Sequence, residues 1–314
     1  MAVADRFYTP GVDTSNDGIE VDYVEHVLPF DGIKVHVYEW LPEGTPRAVV
    51  HISHGAGEHA RRYQRLANAL RASGFAVVAD DHLGHGRTGV YHRGIGEMGK
   101  HGMRDSLRLI RHVITWTRGR YAGARLVELA HSWGSLMAQK QFADEPDIFD
   151  ALVLSGTTVM LPGIANTGDF NAPYGDDGHG MSWLSRDKAE VQKMIDDLYG
   201  FDIGQSDMLD LPGLLGTFSL PPLRRRGRAA RVPVLILAGE HDAVSLGRAR
   251  GARSLAWAYR NVTKLDDVTL RVSTAAASPL TTLEGFARPT AIARAAATVR
   301  GATALSCAGS SRSR

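Results

Sequence analysis

The fold of this chain is decided by six residues, Leu129-Ala130-His131-Ser132-Trp133-Gly134. An apolar run precedes them and a helix-forming run, Leu136–Phe142, follows, so the segment predicts a strand, a sharp turn and a helix. A serine on such a turn needs small residues two positions before and two positions after it, which here are Ala130 and Gly134. The usual pattern has glycine at both positions. Alanine is the least costly departure, and Ser132 is therefore a candidate nucleophile.

Strand-like and helix-like segments alternate outward from this turn, which is typical of a mainly parallel sheet flanked by helices. The sequence therefore predicts the α/β class. Asp31-Gly32 is a strong hairpin signal between the first two strands. The predicted strands are Val21–Val27, Ile33–Trp40, Ala48–Ser53, Phe75–Ala79, Arg125–Leu129, Ala151–Ser155, Val232–Ala238 and Val268–Val272. The predicted helices are Ala60–Ser73, Met103–Thr117, Leu136–Phe142 and Lys188–Leu198.

The periodic pattern divides the chain into four regions. Residues 1–156 and 232–272 alternate between strand and helix, and we expect them to form two parts of one core. In residues 157–231 the pattern loosens while Gly, Asp and Pro accumulate, which indicates an inserted cap with one clear helix. Residues 273–314 form an atypical tail that contains no Asp, Lys, His, Trp or Tyr.

The composition excludes several classes of partner and site. The chain has 314 residues with 36 basic and 34 acidic side chains, a balance that argues against nucleic acid as the main partner. Its single cysteine, Cys307, allows no intramolecular disulfide and no multi-cysteine metal site. Neither an apolar leader nor a run of about 18 apolar residues is visible, so we expect a cytoplasmic protein. The oligomeric state is left open.

Two backbone N–H groups are candidates for an oxyanion hole. One belongs to Trp133, directly after the candidate nucleophile. The other is expected on the loop His54-Gly55-Ala56-Gly57, where glycines let the backbone approach an acyl oxygen, and Ala56 is the preferred donor. The alternative is that this loop is an ordinary glycine-rich turn at a strand end.

Several motifs together resemble one family. His54-Gly55-Ala56-Gly57-Glu58-His59 is followed by Arg62-Tyr63, by Asp81-His82-Leu83-Gly84-His85-Gly86 and by His131-Ser132-Trp133-Gly134. This combination resembles the monoacylglycerol lipase and lysophospholipase group of α/β-hydrolases, also described as serine aminopeptidase-like hydrolases. The resemblance runs from about Val21 to Val272.

The resemblance implies a Ser–Asp–His triad, an acyl ester substrate with an apolar chain, and no metal or organic cofactor. Asp242, which follows a predicted strand after the cap, matches the family's acid. A carboxylate at a strand end can orient a histidine and stabilise its imidazolium form. The alternative is that Asp242 is an ordinary turn aspartate.

The histidine of such a triad is missing from the sequence. The order in this fold is nucleophile, acid and then histidine, yet no histidine follows His241. We interpret the 273–314 tail as a frameshift product or a divergent replacement. His241 is expected to point away from Asp242, and His131 to point away from the nucleophile or pack beneath it. His54, His82 and His85 are expected to be structural.

The sequence therefore predicts a serine hydrolase of lipid-type carboxylic esters, similar to monoacylglycerol or lysophospholipid, that is impaired by the missing histidine. Loss of a triad histidine costs on the order of 10⁶ in kcat. The alternative is a non-catalytic binding protein that keeps the pocket, and other serine-dependent chemistry stays open. A basic run, Arg224–Arg228, is interpreted as a solvated surface, with peripheral contact to lipid headgroups as the alternative.

Overall fold

A computed structural model gives the fold of the chain. The predicted cap at 157–231 lies partly outside the residues that the structure describes, and the 273–314 tail lies outside them except for Ser273. No helix within the described ranges is long and apolar enough to cross a membrane. The described residues are 22–159, 170–175, 178–185, 187–203, 206, 227–245 and 247–273.

Eight strands form a single sheet in the order β1-β2-β4-β3-β5-β6-β7-β8. The pairs β1–β2 and β2–β4 are antiparallel, whereas every other neighbouring pair is parallel. The predicted α/β class with a mainly parallel sheet is confirmed. The strands are β1 (Val24–Phe30), β2 (Ile33–Trp40), β3 (Val49–Ser53), β4 (Ala76–Asp80), β5 (Leu126–His131), β6 (Ala151–Ser155), β7 (Val234–Gly239) and β8 (Val268–Ser273).

The predicted position of β1 is three residues too early. The hairpin turn has only two residues, because Phe30 pairs directly with Ile33. The strand therefore spans Val24–Phe30. Asp31 and Gly32 both have positive φ, 46° and 80°, as a two-residue type I′ hairpin requires. The Asp-Gly signal was therefore correct, and the strand extends up to it.

Within the described residues, six helices connect and cover the strands, with short 3₁₀ turns such as Ala60–Tyr63 beside them. The helix predicted from Leu136 begins four residues earlier, at Ser132, because the strand–helix turn is too sharp for any linker. The third helix is longer at both ends than the predicted Met103–Thr117. The helices are α1 (Gln64–Ala72), α2 (Gly86–Val90), α3 (Gly102–Arg120), α4 (Ser132–Asp144), α5 (Lys188–Asp196) and α6 (Arg250–Ala258).

The central strands β3 to β6 are buried along their whole length, as parallel strands covered on both faces must be. A polar network nevertheless crosses them. The His51 ring lies between the carboxylates of Glu128, at 2.8 Å, and Asp80, at 3.1 Å. Burial alone would lower the pKa of His51, but these two carboxylates raise it to about 10. Glu128 also accepts a hydrogen bond from the Ser53 hydroxyl at 2.5 Å, which fixes the end of β3.

Candidate active site

Ser132 lies at the point where β5 becomes α4, and its backbone is strained. Its φ of 49° places a non-glycine residue in the left-handed region, which L side chains rarely adopt. Such strain persists only where the surrounding structure imposes it, and it often marks a functional position. The next residue, Trp133, lies in the first turn of α4, where backbone N–H groups have no partner within the helix.

The two small residues of the motif, Ala130 and Gly134, differ in the space that is available for a side chain. A Cβ atom on Gly134 would lie 2.4 Å from the carbonyl oxygen of His54 and 2.5 Å from that of Ser53, so only glycine fits. Ala130 is fully buried within the apolar core, where its methyl group is packed. Position 134, two residues after the serine, therefore requires glycine. Position 130, two residues before it, accommodates alanine.

The loop that follows β3 is held by hydrogen bonds on both sides of Ala56. The N–H of Gly55 donates to a Glu58 carboxylate oxygen at 2.6 Å, and the Tyr63 hydroxyl donates to the same oxygen at 2.7 Å. The N–H of Gly57 donates to Nε2 of His85 at 3.2 Å. Ala56 is therefore fixed in place beside Ser132, and both residues line one pocket. The bracing role of Glu58 was missed by sequence reasoning.

Three histidines, His54, His82 and His85, stabilise the conformation of this loop. His54 donates through Nδ1 to its neighbour Gly55 at 2.7 Å, while its Nε2 accepts from the N–H of His82 at 3.1 Å. The rings of His54 and His82 are stacked with centroids 3.8 Å apart. Burial lowers the pKa of His85 to about 3, so its Nε2 is available as an acceptor for Gly57. None of the described residues forms a group of three or more His, Cys, Asp or Glu that could hold a metal ion.

The segment after α5 is attached to the same loop. Asp197 accepts a hydrogen bond from His59 at 2.9 Å and one from Arg62 at 3.2 Å. Burial would raise the pKa of Asp197, but His59 and Arg62 hold it below its ordinary value. The N–H of Phe201 donates to the carbonyl of Gly57 at 3.0 Å. No sequence motif signals these contacts, since they join positions more than a hundred residues apart.

A pocket brings the candidate residues together. Ser132, Asp242 and Ala56 share it with an apolar group that includes Trp183 from the predicted cap. Its lining combines polar and charged residues with apolar ones. The lining residues are Gly55, Ala56, Glu58, Arg62, His131, Ser132, Gly156, Trp183, Leu184, Ser185, Glu190, Met194, Asp242, Ala243 and Val244.

Asp242 is buried just after β7, with 3% of its surface exposed. Its Oδ1 accepts the N–H of Val244 at 2.9 Å, which is the hydrogen bond of a turn aspartate. Its Oδ2 is buried and has no hydrogen-bond partner among the described residues. Burial raises the pKa of Asp242 to about 7, against the opposing effect of the N–H groups of Val244 and Ser245. The neighbouring His241 is exposed and thus points elsewhere.

His131 was expected to point away from Ser132 or to pack beneath it. It is buried, and it is one of the residues that line the pocket with Ser132 and Asp242. Ala130 and Leu129 belong to the cores on opposite faces of the sheet, so alternation places His131 on the face of Leu129, at the strand end. Its Nδ1 is buried and has no hydrogen-bond partner in the described part of the chain. Burial lowers the pKa of this ring, which favours the neutral form.

Comparison with known proteins identifies the family. A family model described as serine aminopeptidase, S33, matches residues 44–274. The chain belongs to this hydrolase family. The matched region ends one residue after β8, where the atypical tail begins.

Members and relatives of the family include lipases. Human monoglyceride lipase is 31% identical over 265 residues, which cover 79% of this chain and 80% of that protein. A monoglyceride lipase homolog of monkeypox virus is 36% identical over 129 residues, and the match spans about half of it, 45%. A monoacylglycerol lipase of Mycolicibacterium smegmatis is 32% identical over 131 residues, covering 41% of this chain and 44% of that one.

Solved structures show the same fold. A thermostable carboxyl esterase from Bacillus coagulans superposes with a TM-score of 0.74 at 20% identity, covering 90% of this chain and 99% of the esterase. A monoacylglycerol lipase from Paleococcus ferrophilus superposes with a TM-score of 0.55 at 22% identity, covering 77% and 89%. The α/β-hydrolase fold predicted from the sequence is confirmed.

Proposed function

We propose that this chain is a serine hydrolase of lipid-type carboxylic esters in which Ser132 is the nucleophile. The observation that carries the proposal is the left-handed φ of 49° at Ser132, in a pocket that also contains a buried carboxylate. Structure elsewhere in the chain maintains this strain, as the tight contact at Gly134 illustrates. A strained serine at the head of a helix is suited to attack an acyl carbon held in the pocket.

The oxyanion that forms on attack would be stabilised by the N–H groups of Trp133 and Ala56. Trp133 lies in the first turn of α4, where N–H groups have no partner within the helix, and Ala56 lies on a loop fixed by Glu58 and His85. Donors that are already in position need no reorganisation when charge develops. Asp242 would orient a base, although this chain provides no histidine after it.

The proposed substrate is a monoacylglycerol or a similar lysolipid. Support comes from the human relative, which is a monoglyceride lipase, and from the apolar lining residues Trp183, Leu184, Met194 and Val244. Apolar lining residues favour an acyl chain because burial contributes roughly 25 cal/mol per Å² of apolar surface. Ester hydrolysis by the isolated chain is expected to be slow, since a triad without its base retains only roughly 10³–10⁴ over the uncatalysed rate.

The missing histidine also favours a second candidate function, a binding protein that retains the pocket without turnover. A fluorophosphonate probe separates the two, because it reacts covalently with an activated serine. Labelling that disappears in Ser132→Ala and persists in Ser73→Ala, a serine at the end of α1, supports the hydrolase. Folded protein that is never labelled supports the binding protein.

A further inference from the structure

Two buried polar atoms face the same small region beside Ser132. Asp242 Oδ2 and His131 Nδ1 each lack a hydrogen-bond partner among the described residues. Measured from the position that a Cβ atom on Gly156 would take, His131 Nδ1 lies at 3.2 Å and Asp242 Oδ2 at 3.8 Å. Buried polar atoms in native proteins nearly always have a partner. The pair therefore points to a polar molecule bound between them.

The topology and the sequence show that no histidine after β8 supplies that partner. β8 runs parallel to β7, and Ser273 pairs with Gly239, three residues before Asp242. The N–H of Glu240 donates to the carbonyl of Ser273 at 2.8 Å, so the chain leaves β8 at the edge of the sheet where Asp242 lies. The sequence that follows, residues 274–314, contains no histidine. The acid of the site is thus present without the aromatic base that would complete it.

We propose that the pocket between Asp242, His131 and Ser132 binds free imidazole, or a similar small neutral heterocyclic base, and that the bound ring acts as the base for Ser132. This inference rests on the proposed hydrolase function. An imidazole can donate an N–H to Asp242 Oδ2 from one nitrogen while its other nitrogen accepts a proton. The unpaired acceptor at Asp242 and the apolar residues in the pocket lining both favour a planar ring with a polar N–H group.

The chemistry balances with imidazole as a catalyst. The ring nitrogen takes the hydroxyl proton of Ser132 while Oγ bonds to the ester carbon, and Asp242 stabilises the imidazolium. The tetrahedral intermediate collapses when the carbon–oxygen bond to the alcohol breaks, and the imidazolium gives its proton to that oxygen. Water then repeats the sequence on the acyl-enzyme, which releases the acid and restores both Ser132 and neutral imidazole.

Guanidinium provides a matched control ligand. It is planar and donates N–H groups to a carboxylate as imidazole does, but it has no acceptor nitrogen and does not lose its proton in this pH range. It should therefore compete for Asp242 without activating Ser132. Imidazole that assists from bulk solvent would be insensitive to guanidinium.

The test measures the fluorophosphonate labelling rate of the full chain against imidazole concentration, together with broadening of the imidazole proton signals in NMR. We expect labelling to accelerate about tenfold or more and to saturate, a small part of what a missing triad base costs. Asp242→Asn should abolish both the saturation and the broadening. Glu240→Gln, a carboxylate-to-amide change two residues earlier, should retain both.

Three outcomes would overturn parts of the reasoning separately. Basal labelling of Ser132 without acceleration or broadening by imidazole would refute the inference and leave the proposed function standing. Acceleration that persists unchanged in Asp242→Asn would also refute it, because the base would then act from solution. Broadening that depends on Asp242, with no labelling at any imidazole concentration, would refute the proposed function and the catalytic half of the inference.

Discussion

Replacing Asp242 by asparagine should stabilise the protein at alkaline pH. Oδ1 of Asp242 accepts the N–H of Val244, and an asparagine oxygen can keep that hydrogen bond. Oδ2 has no partner among the described residues, so its replacement by an NH₂ group breaks no recorded contact. What the substitution removes is a negative charge buried at 3% exposure.

The magnitude follows from the pKa of Asp242, which burial raises from 3.8 to about 7. Each pKa unit corresponds to about 1.4 kcal/mol, so the ionised carboxylate costs the folded state about 4 kcal/mol. Below the unfolded pKa both states hold the proton and the cost vanishes. Between these two pKa values the folded state binds more protons, and its stability falls as the pH rises. Above about pH 7 the cost is constant.

Urea unfolding at pH 5 and pH 8 measures this dependence directly. We expect the free energy of unfolding of Asp242→Asn to exceed that of the unmodified chain by about 1.5 kcal/mol at pH 5 and about 4 kcal/mol at pH 8. Asp266→Asn is the matched control, because Asp266 is an exposed aspartate before β8. Its effect should stay within about 0.5 kcal/mol at both pH values.

If Asp242→Asn raised the free energy of unfolding by the same amount at pH 5 and pH 8, this reasoning would be refuted. A variant less stable than the unmodified chain at pH 8 would refute it too. Either result would mean that a cation or a donor already compensates the carboxylate in the folded protein. Saturating imidazole should itself reduce the stabilisation by Asp242→Asn at pH 8, because a bound N–H donor stabilises the ionised form.

Two further substitutions test the turn and the loop, with Gly119→Ala as a control for the first. Gly134→Ala should cost about 3 kcal/mol or more in urea unfolding, because its methyl would meet the His54 carbonyl at 2.4 Å. Gly119→Ala, in α3 with nothing within 4 Å, should instead stabilise by about 0.5–1 kcal/mol. Asp197→Asn should cost about 3 kcal/mol at pH 7, since it leaves His59 without its carboxylate. That loss should shrink as the pH falls, because the pKa of Asp197 is lowered in the folded state and its contribution is present only while it is ionised.

Local sequence signals were sufficient for most of the sheet. Periodic apolar runs located all eight strands, and only the first was displaced by three residues. Helix starts were less accurate: α4 begins at Ser132, four residues before the predicted Leu136. Polar residues at the head of a helix carry little periodic signal, so a start at a catalytic turn is hidden from pattern analysis.

The site was predicted in part. Motif spacing selected Ser132, Trp133, Ala56 and Asp242, and three of these line one pocket while Trp133 follows directly in α4. No sequence signal predicted that His131 lines that pocket. A residue beside a nucleophile can face either way, and the direction depends on how the strand is twisted and packed.

By itself, the sequence determined the α/β class, the strained turn at Ser132 and the absence of a histidine after Asp242, because these depend on residue types at short spacings. The tertiary structure decided which groups meet. It placed His131 and Asp242 around Gly156 and joined Asp197 to His59. Contacts between residues far apart in the chain depend on packing, and packing acts through space and not along the sequence.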